Sequence, residues 1–280
     1  MKYILMFCLP LFTFRAYSQI KVDTTYTADG KLEEVTFSSN GQKNMVITFS
    51  GGYTKSIQNF KDGVRDGIST TYSVRKRLKP TNVTTYKNGF LNGLYETYSD
   101  TGRLVSKCYY ENGLLIGEYI NYAENGRKYM VSNYVKGKLH GNRFYYYKDE
   151  KLKRQYTFRN GILNGVYVEY FPSGKIRFTG EFKNGNYSGE RICYNEDNSL
   201  VNGHYVEYSE DGIVSKETNC INGRVNGEYI NYNDNGSVYF IGNFKNGKPD
   251  GILHFFSKNK KDELYKNGVF VKEIENKDEE

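Results

Sequence analysis

The chain has 280 residues, among them 29 Gly, 28 Tyr and 17 Phe, with 4 Pro, no Trp and a formal net charge of +7. Gly averages roughly 7% of soluble proteins, so this excess asks for many backbone positions at positive φ. An apolar content of 38% and a mean hydropathy of −0.70 exclude a thick globular core, and the scatter of the basic residues speaks against a nucleic-acid surface.

Taken from the start, residues 1–18 read as a secretory signal peptide. Lys2 supplies the positive start, Tyr3 to Phe14 an apolar run, and Ala16-Tyr17-Ser18 the small-x-small cleavage pattern. The run is too short to span a bilayer core, which needs about 20 residues in a helix. The mature chain is therefore expected to begin at Gln19, with Ile20 as the near alternative, and to be secreted or held in the periplasm or cell envelope. It retains Cys108, Cys193 and Cys220, an odd number that gives no disulfide framework. Residues 19–59 read as degenerate capping repeats, in which TADGKLEEVTF (27–37) keeps a turn and an aromatic.

A repeat occupies residues 60–270. Its phrase, aromatic-x-Asn/Asp-Gly-x-x-x-Gly, occurs as YKNGFLNG (86–93), YENGLLIG (110–117), FRNGILNG (158–165) and FKNGKPDG (244–251), among others. The closing glycines are Gly67, Gly93, Gly117, Gly141, Gly165, Gly189, Gly203, Gly227 and Gly251. They lie 24 apart, except for 26 at the start and 14 between Gly189 and Gly203. A second family of turns, such as AENG (123–126) and NDNG (233–236), alternates with the first. Asn-Gly and Asp-Gly provide the positive φ of tight hairpin turns. A turn every dozen residues leaves room for strands and none for helices. The fold expected is an all-β, twisted antiparallel meander with one hairpin in about 24 residues. The short interval predicts a phase break near 195–202, and residues 271–280 form an acidic frayed tail.

Alternation along the strands assigns the faces. Five residues after the closing glycine stand Tyr98, Tyr122, Tyr146, Tyr170, Tyr194, Tyr208 and Tyr232, and three after it Ile120, Val168 and Ile230. These columns are expected to form the packed face. Two residues after the glycine stand Tyr95, Tyr119, Arg143, Tyr167, Arg191, Tyr205 and Tyr229, on the opposite, exposed face. A Tyr/Arg ladder has the composition of protein-binding hot spots; the competing reading is cross-strand packing that stabilises the sheet.

ENGLLIGEYINYAENG (111–126) and INGRVNGEYINYNDNG (221–236) resemble the MORN repeat in its bacterial variant, NGxxxGxYxxYxxxG. The resemblance implies an extended, twisted β-hairpin solenoid. It also implies a scaffolding role, since bacterial members are labelled antitoxins and eukaryotic members are associated with membranes and protein assembly. The chain lacks the Trp of the eukaryotic pattern.

No chemistry emerges from the remaining residues. His140, His204 and His254 fall in different columns, no C-x-x-C pair offers a zinc site, and no Gly-rich turn ends in Lys-Ser/Thr. No catalytic residue, metal or cofactor is expected. The function expected is a non-enzymatic scaffold with a protein partner, the alternatives being a glycan- or lipid-surface module and an antitoxin-like neutraliser.

Overall fold

In the computed structural model, which describes residues 19–73, 79–209, 213–257 and 260–275, the period folds into antiparallel strands joined by turns, with no helix among the described residues. The chain divides into two compact units, residues 1–102 and 103–280. The first holds β1 (Lys21–Tyr26), β2 (Leu32–Ser39), β3 (Gln42–Ser50) and β4 (Tyr53–Lys61). It continues with β5 (Val64–Arg65), β6 (Gly67–Tyr72), β7 (Pro80–Lys87) and β8 (Phe90–Tyr98). The second opens with β9 (Leu104–Glu111), β10 (Leu114–Tyr122), β11 (Lys128–Val135), β12 (Lys138–Tyr146) and β13 (Leu152–Arg159). Next come β14 (Ile162–Tyr170), β15 (Ile176–Lys183), β16 (Asn186–Cys193), β17 (Gly203–Tyr208) and β18 (Val214–Ile221). It closes with β19 (Arg224–Tyr232), β20 (Val238–Lys245), β21 (Lys248–Phe255), β22 (Asp262–Lys266) and β23 (Val269–Ile274). The proposed signal peptide and the last five residues lie outside the described residues.

The two glycines of the phrase do different work. The first closes a hairpin: Asn112 and Gly113, at φ +49° and +80°, are both left-handed, as a type I′ turn requires. The second sits within a strand. At Gly165, φ +122°, β14 advances from Leu163 to Tyr167 while its partner β13 moves only from Phe158 to Tyr156. The glycine is thus the centre of a bulge, and the strand bends there to leave one neighbour for the next.

Bulge and turn are also joined between repeats. Within each unit the turn glycine of one repeat donates its N–H to the carbonyl two residues before the bulge glycine of the preceding repeat. In the second unit these bonds are Gly137 to Leu115 (2.8 Å), Gly161 to Leu139 (2.7 Å), Gly185 to Leu163 (2.8 Å) and Gly247 to Val225 (2.7 Å). In the first unit the same bond runs from Gly89 to Arg65 (2.8 Å). The 24-residue period is the spacing at which this bond repeats.

Between Gly189 and Gly203 one returning strand is missing. After β16 the chain makes only the bridge Tyr194↔Leu200 around a turn closed by Asn195 N–H to Ser199 O (2.8 Å), and then enters β17. β16 pairs with β15 on one side and on the other meets β19 at the single bridge Ile192↔Arg224. The sheet consequently folds over, and one face of β13–β16 is laid against the same face of β17–β22. The Tyr187 N–H reaches the Tyr265 hydroxyl at 3.3 Å, and the Tyr187 and Phe240 rings lie 5.9 Å apart.

This fold-over corrects the expected faces. The core consists of residues such as Tyr167, Phe178, Tyr229, Phe240, Leu253 and Tyr265, so the column two after the glycine is the packed one. Tyr122, Tyr146, Tyr170, Tyr194 and Tyr232 are half-buried on the other face, and Tyr208 is exposed. In the first unit Tyr98, likewise half-buried, donates to Glu96 Oε2 at 2.7 Å. An apolar column marks a core only if another layer covers it, and the covering layer here belongs to the inner face.

Gly165→Ala is expected to destabilise the protein by about 1–3 kcal/mol, the usual strain of a non-glycine residue at such a φ, because the new Cβ also meets Thr157 side-chain carbons at 3.1 Å. Gly180→Ala, at an ordinary φ with its nearest contacts at 3.7 Å, is expected to be neutral within about 1 kcal/mol. Urea denaturation of the two variants checks the difference.

Candidate functional site

Register partners trace two rows across the inner face. One runs Tyr119, Ser132, Arg143, Tyr156, Tyr167, Gly180. The other runs Met130, Tyr145, Arg154, Glu169, Phe178, Cys193. Beyond the fold-over the matching rows are Tyr205, Thr218, Tyr229, Gly242, Leu253 and Glu207, Lys216, Asn231, Phe240, Phe255. Gly180 and Gly242 stand opposite Tyr167 and Tyr229; a Cβ at Gly180 would only touch its neighbours at 3.7 Å, whereas one at Gly242 would run into the Leu253 side chain.

The proposed ladder is therefore divided. Tyr167, Arg191, Tyr205 and Tyr229 are buried, with exposures of 9, 4, 9 and 2%, and the expectation that they form an exposed face is overturned. Tyr119 and Arg143 lie on the uncovered stretch of the same face and are half-buried. Tyr119 is 6.1 Å from the Tyr134 ring; Arg143 donates from Nε to Ser132 Oγ (2.8 Å) and lies 5.2 Å from the Phe158 ring. Aromatic contacts continue from Tyr145 to Tyr156 (5.9 Å) and from Tyr156 to Tyr167 (4.7 Å), where the cover begins. In the first unit, Tyr95 is half-buried opposite Thr84.

A buried ionic cluster pins the layers together. Lys216 Nζ is hydrogen-bonded to Glu169 and lies 3.0 Å from Glu207 Oε2. Arg154 reaches Glu169 Oε1 at 3.2 Å and Glu207 Oε1 at 3.7 Å. Arg177 lies 3.5 Å from Glu207 and donates to the Tyr205 hydroxyl at 3.0 Å. Burial works against ionising Glu207, but Lys216 and Arg177 overcome it and hold its carboxyl below the usual range. Burial raises Glu169 instead, against the pull of Lys216. With three cations around two carboxylates, the arrangement is a lock between layers and supplies no free nucleophile or base.

Sequence reasoning missed this cluster. Its signal was a carboxylate four residues after Gly165 and Gly203, at Glu169 and Glu207, where other repeats carry Asn121 or Asn231. The partner Lys216 lies across the phase break, beyond the reach of any periodic argument. Among the described residues no group of three or more His, Cys, Asp or Glu is placed to hold a metal ion. His140, His204 and His254 each have a different neighbour: Asn160, Glu217 and Asp262.

A family model described as the MORN repeat variant matches residues 91–112, 139–160, 163–184 and 225–246. The last three matches begin at Leu139, Leu163 and Val225, the carbonyl acceptors of the inter-repeat bonds, and end at the Asn preceding the donor glycine. The sequence repeat and the hydrogen-bonded unit thus coincide. No curated protein matches the chain. Among solved structures, one of the Tc holotoxin pore of Photorhabdus luminescens is similar over 90% of this chain at 11% identity, with a TM-score of 0.19. The chain spans 16% of that toxin chain's length, and the superposition is too poor to bear on fold or function.

The division of the ladder has a measurable consequence. Tyr229→Ala is expected to destabilise the protein by about 3–5 kcal/mol, as for other buried aromatics, and Tyr119→Ala by about 1 kcal/mol, for a ring half left in water. Chemical denaturation of both variants checks this.

Proposed function

We propose that the protein is a non-enzymatic repeat scaffold of the cell envelope or its exterior that binds a protein partner on the uncovered inner face of β10–β12. The observation that carries the reading is the change of state along one continuous face. From β13 onward the chain covers it with its own second layer; over β10–β12 Tyr119, Met130, Tyr134, Arg143 and Tyr145 remain half-exposed. MORN repeats are matched on both sides of this boundary, and such repeats serve generally as non-catalytic scaffolds.

The chain itself indicates what fits there. The layer that covers the buried half presents Tyr205 and Glu207 to Arg154 and Arg177. A partner suited to the open half presents aromatic and acidic side chains from a flat β-surface, with Arg143 as one of the cations it meets. Without Lys2 and Arg15 of the proposed signal peptide the formal charge of +7 becomes +5 (7 − 2), which favours an acidic partner. Export rests on residues 1–18 alone.

Replacing Tyr119, Tyr134 and Tyr145 together with Ala is expected to weaken capture of the partner by at least about 2 kcal/mol, the scale of a hot spot, with the β-sheet circular dichroism unchanged. Quantitative pull-down from envelope extract against the outer-face variant Tyr122→Ala provides the comparison. Equal capture by both would remove the inner face from the proposal. N-terminal sequencing of periplasmic or secreted material should begin at Gln19; an intact Met1 in cytoplasmic protein would end the export claim.

A further inference from the structure

Among the described residues, Arg191 is the one buried cation that the ionic cluster does not absorb. It is 4% exposed, and its Nη1 has no hydrogen-bond partner. The Glu190 carboxylate beside it in sequence pairs instead with Arg224, at 2.7 Å. What surrounds the guanidinium is aromatic: its carbon lies 3.5, 4.8 and 4.6 Å from the ring centres of Tyr187, Tyr229 and Phe244. Ring faces attract a cation but accept none of the in-plane hydrogen bonds of its fork. A buried donor left unfilled is unfavourable unless something supplies an acceptor.

Next to Arg191 lies a cavity of ≈ 160 Å³, with walls of Tyr167, Phe178, Tyr229 and Phe240 and a rim that includes the half-buried Tyr187 and Asn231. An apolar cavity of about 150 Å³ holds one benzene molecule. Lys216 also lines it, but its charge is already met by Glu169 and Glu207. The space therefore has the size of one aromatic ring, apolar walls and one unanswered cation. We infer that this cavity binds a small organic carboxylate with a single-ring body, the ring between the aromatic walls and the carboxylate on the Arg191 fork. Such a pair is charge-assisted, a strong way to fill the vacant Nη1 donor.

The probe is para-fluorobenzoate, titrated into the full chain and followed by fluorine NMR. Saturable binding with a Kd of about 1 mM or tighter, displaced by benzoate but not by toluene or acetate, is the result expected. Arg191→Gln should weaken it at least about tenfold. The inference is overturned if the wild-type protein shows no saturable binding, if toluene competes as well as benzoate, or if a folded Arg191→Gln variant binds unchanged. Should that variant not fold, NOEs from the probe's ring protons to Tyr187, Tyr229 and Phe240 in the wild-type protein decide; their absence refutes the site.

A second observation stands apart from the cavity. Cys193 and Cys220 are both fully buried, and their sulfurs lie 2.7 Å apart, closer than two unbonded sulfurs rest. One ends β16 and the other belongs to β18, so the pair spans the fold-over. We propose that they are joined by a disulfide when the chain folds in an oxidising compartment. Two thiols then form one S–S bond (about 2.05 Å) and release two protons and two electrons; a small-molecule or protein disulfide takes the electrons and becomes two thiols. The thiols are sealed once the layers close, so the exchange precedes closure. The odd cysteine, Cys108, is buried in its own repeat and stays reduced. Refolding with oxidised glutathione should lower the intact mass by two hydrogens, link the Cys193 and Cys220 peptides, and raise the melting temperature reversibly with dithiothreitol. Alkylation of all three thiols in the denatured, oxidised product, or a bond through Cys108, would contradict it.

Discussion

Everything distinctive in the second unit follows from a strand that is not there. An antiparallel meander grows by returning, and each returning strand satisfies the backbone groups of the one before it. When the return after β16 is omitted, the free side of that strand must find partners elsewhere or leave them unmet. It finds them in the turns of later repeats: Arg191 N–H donates to Gly247 O at 2.8 Å and Cys193 N–H to Gly223 O at 2.6 Å. Those bonds can form only if the following strands swing back over the preceding ones. A missing ten-residue piece of the period thereby converts a single layer into two.

The two-layer core places aromatic and charged groups side by side. Aromatic rings fill it because they bury large areas with few rotatable bonds. The Lys216, Glu169 and Glu207 cluster adds little net stability, since desolvating ions offsets most of their attraction. Its effect lies in alignment. Arg154 and Glu169 come from β13 and β14, Glu207 and Lys216 from β17 and β18, and a slip of one residue would turn every one of them to the opposite face. Two layers of near-identical repeats have many similar ways to stack; charges that must meet leave one.

Most of the fold was legible in the sequence, because the period, the Asn-Gly turns and the absence of any helical spacing all state the same answer. The phase break was visible too, as the interval between Gly189 and Gly203. The faces were not. Both columns are apolar or aromatic in most strands, so alternation separates them without saying which is covered. Cover depends on the strand that is missing, and its effect extends to residues dozens of positions away, as between Tyr187 and Tyr265. The same non-periodic contact created the ionic lock, the orphaned Arg191 and the juxtaposed cysteines. Repetition conceals such features because no single repeat contains them.

The central claim, that one inner face is covered from β13 onward and open before it, is tested most directly by tyrosine nitration of the native protein with tetranitromethane, mapped by peptide mass spectrometry. The account predicts that Tyr119, Tyr134 and Tyr145 react while Tyr205, Tyr229 and Tyr265 stay unmodified until the protein unfolds. Nitration of Tyr229 as fast as Tyr119 would contradict the two-layer core and everything drawn from it.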